Sequence, residues 1–232
     1  GGPRRPEPAR GSAGDRLRPE LRLASAGEGQ FLVTPSVRGR FPTLGGGARR
    51  RDAGRAHRGV ARRRAALRGR GRRGVLGGDE LIAGLTKKTY HFLITVGQIK
   101  SPSIREDLYN TVKKHGGTFA TVFSPLAHVS KHAKVNEGTL VMHHAVINAG
   151  AVVGANCVIN TKALIEHDVQ IGPNNHVATS AVINGDAVTG SGCFVGSNSV
   201  ILQGITLARN TVVGAGAVIR KNVSEENTTV FG

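Results

Sequence analysis

Nine histidines and two cysteines are the side chains of this 232-residue sequence best suited to proton transfer, metal ligation or nucleophilic attack. Histidine is the natural proton acceptor near neutral pH, so position has to discriminate among the nine. His167 is followed directly by Asp168, His176 lies between Asn175 and Val177, and His143 and His144 are adjacent. Cys157 and Cys193 stand 36 residues apart. Both occupy small-residue positions of a repeat and read as core packing rather than as a disulfide or a catalytic thiol. The run Gly45-Gly46-Gly47 follows no strand pattern and opens no helix, so it is not read as a phosphate cradle.

The element that must position these groups is a repeat. From Val129 to Ile219 an aliphatic residue recurs every sixth position, broken only at Thr189. Four residues after each stands a mostly small residue, with Val169, Asn175 and Ile205 as departures. A period of six fits neither a helix at 3.6 nor an open strand at 2, and it predicts a solenoid of short strands and turns. The aliphatics then stack from coil to coil as one continuous core. Five coils of three hexapeptides, with strands about 4.8 Å apart, predict a prism on the order of 24 Å long. Cys157 and Cys193 would lie two coils and roughly 9.6 Å apart, too far for a bridge.

Charge divides the chain. The formal +17 suggests a nucleic-acid binder until it is mapped. Residues 1–73 hold 20 Arg, no Lys and 5 acids, whereas 74–232 hold 9 Lys, 3 Arg and 10 acids. The globular part is nearly neutral, and only Phe31 and Phe41 could stack on bases in the basic part, so nucleic acid is not an expected partner. Residues 1–73 have almost no periodic apolar face. They read as an Arg/Gly-rich disordered arm or, given the abrupt switch from Arg to Lys, as a GC-rich stretch translated in the wrong frame. No apolar run reaches the roughly 18 residues that a membrane span needs, and with two core cysteines a reducing cytoplasm is the expected compartment.

Residues 74–122 read as a partial α/β domain and 123–232 as the solenoid. A short helix is predicted over Asp79–Leu85, a buried strand over His91–Val96, a helix over Ser103–His115 and a strand over Phe119–Phe123. For the second helix, Ser103 and Glu106 predict a capping box, Ile104, Leu108 and Val112 an apolar stripe, and Gly116-Gly117 the stop. Strand, helix, strand is the back half of a small parallel, Rossmann-like domain.

At this point a resemblance carries further than spacing. The pattern [LIV]-[GN]-x-x-[ASTC]-x resembles the left-handed parallel β-helix of the hexapeptide-repeat acyltransferases, and handedness is implied by that likeness alone. The preceding segment is similar to that of the bacterial sialic-acid O-acetyltransferase and nucleotide-sugar N-acetyltransferase group. Val96-Gly97-Gln98 followed by Arg105 matches the end of a strand and the start of the next helix in that group's first domain, and Thr121 to Ala127 matches its junction with the coil. The likeness covers roughly residues 74–232 and implies an acetyl-CoA-dependent acetyltransferase acting on a sugar or nucleotide sugar for surface glycan synthesis. One departure bears on it, the missing glycine-rich first turn; the sequence also stops at Gly232, where the group usually continues through a Pro-Ala segment, as a trimmed C-terminus would.

Residue by residue, Asn160 to Asp168 looks like the group's catalytic segment. His167 would be the proton acceptor, Asp168 the acid that raises its basicity, and Asn160 a polar active-site residue. Gly185, one coil on, would offer its N–H to the oxyanion. His176 matches a contact to acetyl-CoA, Ser197 and Ala215 match backbone contacts to the pantetheine arm, and Gly97 falls in the acceptor-binding part. Some β-helix proteins of this type are zinc enzymes with two histidines five residues apart, but no pair here has that spacing and no metal is expected. The likeness also implies a homotrimer, which would cover outward aliphatics such as Val146, Val158, Leu164 and Val182. A catalytically inactive β-helix scaffold is the competing reading. Whether the acceptor atom is O or N is left open by the sequence.

Overall fold

A computed structural model of the chain describes residues 31–35, 64–69, 72–87 and 90–232, with side chains from Asp79 onward. Residues 122–230 wind into a parallel β-helix. Its two-residue strands stack into three sheets of six, five and seven strands. Each strand pairs in parallel with the one eighteen residues on, Val146 with Leu164 and Leu164 with Val182 for instance. The coil thus begins one strand earlier than the period predicts, at Val122–Phe123, and runs past Ile219 to Thr229–Val230.

The repeat specifies this shape through two alternating demands. The sixth-position aliphatics point inward: Ile147, Ile165, Ile183 and Ile201 are fully buried and stack in one file. Three residues after each aliphatic, from position 138 to 216, the backbone takes positive φ without exception. Asn, Asp and Gly fill most of these positions because they tolerate the left-handed region best, but His144, Lys162 and Ser180 adopt it too. The solenoid therefore imposes the turn even where the residue would not choose it. Both cysteines are buried and free, and burial pushes Cys157 up to about 12 and Cys193 to about 11.

The one break in the inward file is chemically matched. Thr189 is 3% exposed. Its hydroxyl accepts from Asn175 Nδ2 at 3.0 Å, and the same amide donates to the carbonyls of Gly172 and Gly190, each at 2.8 Å. Asn175 is itself a departure from the small-residue rule, so the two exceptions are bonded to each other, although Asn175 Oδ1 is buried without a partner.

Before the coil lies an α/β segment: β1 (Phe31–Pro35), β2 (Arg64–Gly69), β3 (Arg72–Gly78), α1 (Ile82–Thr86), β4 (Tyr90–Ile94), α2 (Ser103–Lys114) and β5 (Thr118–Phe119). The sheet order is β3-β2-β1-β4-β5. β4 and β5 are parallel as expected, but β1 runs antiparallel to β4 and β3 antiparallel to β2, so the sheet is mixed. Two strands and the start of a third therefore fall inside 1–73, which the sequence reading left without structure. Phe31-Leu32-Val33 is a short apolar run of high β propensity, which overall composition hides. The rest of that segment lies outside the described residues.

α2 corrects two further expectations. Pro102 is the N-cap, and neither Ser103 nor Glu106 makes a capping-box bond; Asn174 Nδ2 donates to Glu106 instead. Ile104 is 47% exposed, and the buried face is Arg105, Leu108 and Val112. The helix is anchored to the coil at its far end as well. Tyr109 Oη and Lys113 Nζ donate to Glu137 Oε1 at 2.8 and 2.7 Å, and the Phe119 N–H donates to Oε2. Leu93 packs on Leu140 and Val158, so Val158 is covered within one chain rather than left for a partner.

Candidate active site

One corner of the prism gathers the groups capable of proton transfer. The turn after strand Leu164–Ile165 carries Glu166, His167 and Asp168, and the next coil carries Asn184, Gly185 and Asp186 above it. Asp168 and Asp186 both hold the positive-φ position, at 60° and 59°, so their side chains share one edge. The coils are tied here by the Asp186 N–H donating to the His167 carbonyl at 3.1 Å.

His167 Nδ1 lies 3.0 Å from Asp168 Oδ2, with both side chains more than half exposed. The Asp168 carboxylate holds the ring above the usual histidine range, and the charges of Asp186 and Glu166 add to that. Because Nδ1 faces a carboxylate, Nε2 of the neutral ring is left with its lone pair for another partner. Among the described residues, His167, Asp168 and Asp186 form the one group whose ligand atoms all lie within 4.8 Å of one another.

Two glycines make room for the pair. A Cβ on Gly185 would stand 2.6 Å from both Cε1 and Nε2 of His167, so the imidazole lies directly over this residue. A Cβ on Gly150, one coil below, would collide with the Asp168 carboxylate. Among the described residues no hydrogen bond uses the Gly185 N–H; its carbonyl accepts from Gly204.

The remaining candidates sit elsewhere. Asn160 and His176 are neighbours at a different corner, with Asn160 Nδ2 3.4 Å from His176 Nε2, and among the described residues no hydrogen bond joins Asn160 to His167. His176 is partly buried, meets the Gln98 carbonyl through Nδ1 at 2.9 Å and packs edge-on to Phe194. Burial depresses its pKa. Ser197 and Ala215 lie on turns of the same corner, and the Ser197 carbonyl accepts from Gly216. Gly97 is exposed in the loop between β4 and α2, beside Gln98. His143 bonds to the Ser124 hydroxyl, and His144 occupies a positive-φ turn position, as its place in the repeat suggested.

Sequence reading missed Asp186, Gly150 and the buried Arg105–Asn156 contact. Writing the chain in rows of eighteen would have exposed the first two, since Gly150, Asp168, Asp186 and Gly204 form one column.

A family profile, bacterial transferase hexapeptide (six repeats), matches residues 186–221. The chain carries the hexapeptide repeat of bacterial transferases. No curated protein sequence matches it. Among solved structures, PerB from Caulobacter crescentus in complex with CoA and GDP-perosamine is 26% identical, covers 64% of this chain and 71% of its own, and superposes with a TM-score of 0.59. A mutant perosamine N-acetyltransferase from the same organism, also with CoA and GDP-perosamine, is 24% identical over 67% of this chain and 71% of its own, at 0.60. The acetyltransferase domain of PglB from Neisseria gonorrhoeae is 24% identical over 72% of this chain and 83% of its own, at 0.64. At these identities the likeness shows the fold alone: a parallel β-solenoid of the kind found in these acetyltransferases.

Proposed function

We propose that this chain transfers an acetyl group from acetyl-CoA to a sugar or nucleotide sugar, with His167 as general base. The observation that carries the reading is the His167–Asp168 pair seated over Gly185. Asp168 orients the ring through Nδ1, and Nε2 takes the proton of the attacking amine or hydroxyl as its lone pair adds to the thioester carbon. The carbonyl oxygen gains the electrons of the broken π bond, and the unused Gly185 N–H is placed one coil away to receive them. Collapse of the tetrahedral adduct expels the CoA thiolate, which the imidazolium can protonate. His176, Ser197 and Ala215 would hold the acyl donor, and the loop at Gly97 would contact the acceptor. No metal is assigned a step.

Three acids, Glu166, Asp168 and Asp186, surround His167, and they favour a cationic ammonium over a neutral hydroxyl as the arriving group, which releases one proton to solvent before the neutral amine attacks. Of the relatives named above, one is a perosamine N-acetyltransferase and PerB likewise holds GDP-perosamine, which agrees with an amine acceptor. Thiol release from acetyl-CoA, screened over amino- and hydroxy-sugar nucleotides, tests this. The reading expects release with at least one amino sugar nucleotide and acetyl label in the product. Binding of CoA without turnover on any acceptor would instead favour an inactive scaffold. The surface-glycan role and a soluble cytoplasmic setting extend the same reading; among the described residues no helix is long and apolar enough to cross a membrane.

A further inference from the structure

The α/β segment and the coil meet around one buried guanidinium. Arg105 is 1% exposed, and the structure gives it only neutral acceptors. Nη1 donates to the carbonyls of Ile94 and Val96 at 3.3 and 2.6 Å, and Nη2 donates to the carbonyl and Oδ1 of Asn156 at 3.0 and 2.6 Å. A buried charge without such acceptors would be costly, so these four oxygens fix where the guanidinium sits and what it joins. Two belong to the end of β4 and its exit, and two belong to a corner of the coil.

The contact continues to His176. Asn156 Nδ2 donates to Asn174 Oδ1 at 2.7 Å, and Gln98 Nε2 donates to the Asn174 carbonyl at 2.7 Å. The stretch that Arg105 clamps at Val96 thus delivers Gln98, whose carbonyl stands 2.9 Å from His176 Nδ1. A carbonyl can only accept, so Nδ1 carries the proton and Nε2 of the neutral ring carries a lone pair. Asn160 Nδ2, a donor, faces that lone pair at 3.4 Å. Burial favours the neutral ring, which keeps the assignment intact.

We propose that Arg105 is a positioning residue: by clamping the end of β4 to Asn156 it holds the Gln98 carbonyl on His176 and fixes that ring with its proton on Nδ1. His176 then acts only as a hydrogen-bond acceptor at Nε2. The inference rests on the reading of His176 as a contact to the acyl donor, and it narrows that contact. The group received at Nε2 is an N–H, of the amide kind in a pantetheine arm, and not the thioester carbonyl, which needs a donor. Stabilisation of the oxyanion therefore falls to the Gly185 side.

The test reads the tautomer directly, by long-range proton–nitrogen correlation of the 15N-labelled full chain, with His176→Phe to assign the ring. The free parent protein should show a pyrrole-type Nδ1 and a pyridine-type Nε2. Arg105→Met should convert this to a mixture, Arg105→Lys should restore part of it, and the Met variant should bind CoA roughly tenfold more weakly, the worth of one hydrogen bond. Should Arg105→Met fail to fold, Asn156→Gly removes the Oδ1 half of the clamp and the Asn156–Asn174 bond, leaving only the backbone carbonyl to Arg105, without strain, since Gly138 and Gly192 hold the equivalent positive-φ position. A proton on Nε2 in the parent, or an unchanged ring in both folded variants, overturns the proposal. CoA affinity unchanged in His176→Phe would overturn the acyl-donor contact instead, and the spectrum of the free protein distinguishes the two failures.

Discussion

At the scale of single residues, the candidate site depends on what is absent as much as on what is present. His167 can lie over residue 185 because that residue has no Cβ, and a methyl there would meet the imidazole at 2.6 Å. The ring is exposed and can swing away, so Gly185→Ala should leave the melting temperature nearly unchanged while lowering kcat by about 10²-fold, the usual cost of a misplacement near 1 Å. Calorimetry and turnover on the same preparation separate the two effects, and equal losses in both would contradict the account. The pH profile carries a second prediction. The base must be neutral to act, and Asp168 raises its pKa, so activity should fall as pH drops through a value above the ordinary histidine range. Asp168→Asn removes the largest cause of that shift. Its acid limb should move to lower pH, together with a lower maximal rate because the ring loses its orienting partner. A limb that stays put would mean that another group titrates.

At the scale of elements, the coil was legible because one side chain in six must fill a narrow interior, and the period survives every local variation of turn residue. Even the exception at Thr189 follows a rule that becomes visible once strands are stacked: Asn175 donates to it and to two carbonyls. Asn175→Ala should therefore destabilise the coil by about 1–3 kcal/mol, because it strands buried acceptors. Thr189→Val should cost under about 1 kcal/mol, since the amide keeps both carbonyls. Equilibrium denaturation of the two variants checks the asymmetry. The α/β segment was less legible. A capping box was expected where Pro102 caps α2, and an Ile104 stripe where Arg105 is the buried residue. Helical periodicity locates a face by its apolar members, so a charged residue buried against carbonyls from another element is invisible to it. Contacts between coils, such as Asp186 beside Asp168, depend on an eighteen-residue separation that a single pass along the chain does not reveal.

At the scale of the whole molecule, one face of the prism lacks a partner among the described residues. Val146, Leu164, Val182 and Val200 line the outside of one sheet, each partly exposed, with Val218 at 36% and Leu202 nearby at 38%. A file of aliphatics at this spacing is costly to leave in water, and a threefold assembly that buries it is the expected state. Sedimentation equilibrium at micromolar concentration should give three times the 24.3 kDa chain mass. A monomer mass, or a trimer unaffected by Val182→Lys, would contradict that arrangement. If the molecule is an acetyltransferase that uses the His167 corner, turnover must depend on that ring. On an amino sugar nucleotide that the parent acetylates, His167→Ala should lower kcat by about 10² to 10⁴-fold, the worth of a positioned base, with CoA affinity essentially unchanged. Wild-type turnover in that variant would contradict the account and move the base to another corner of the coil.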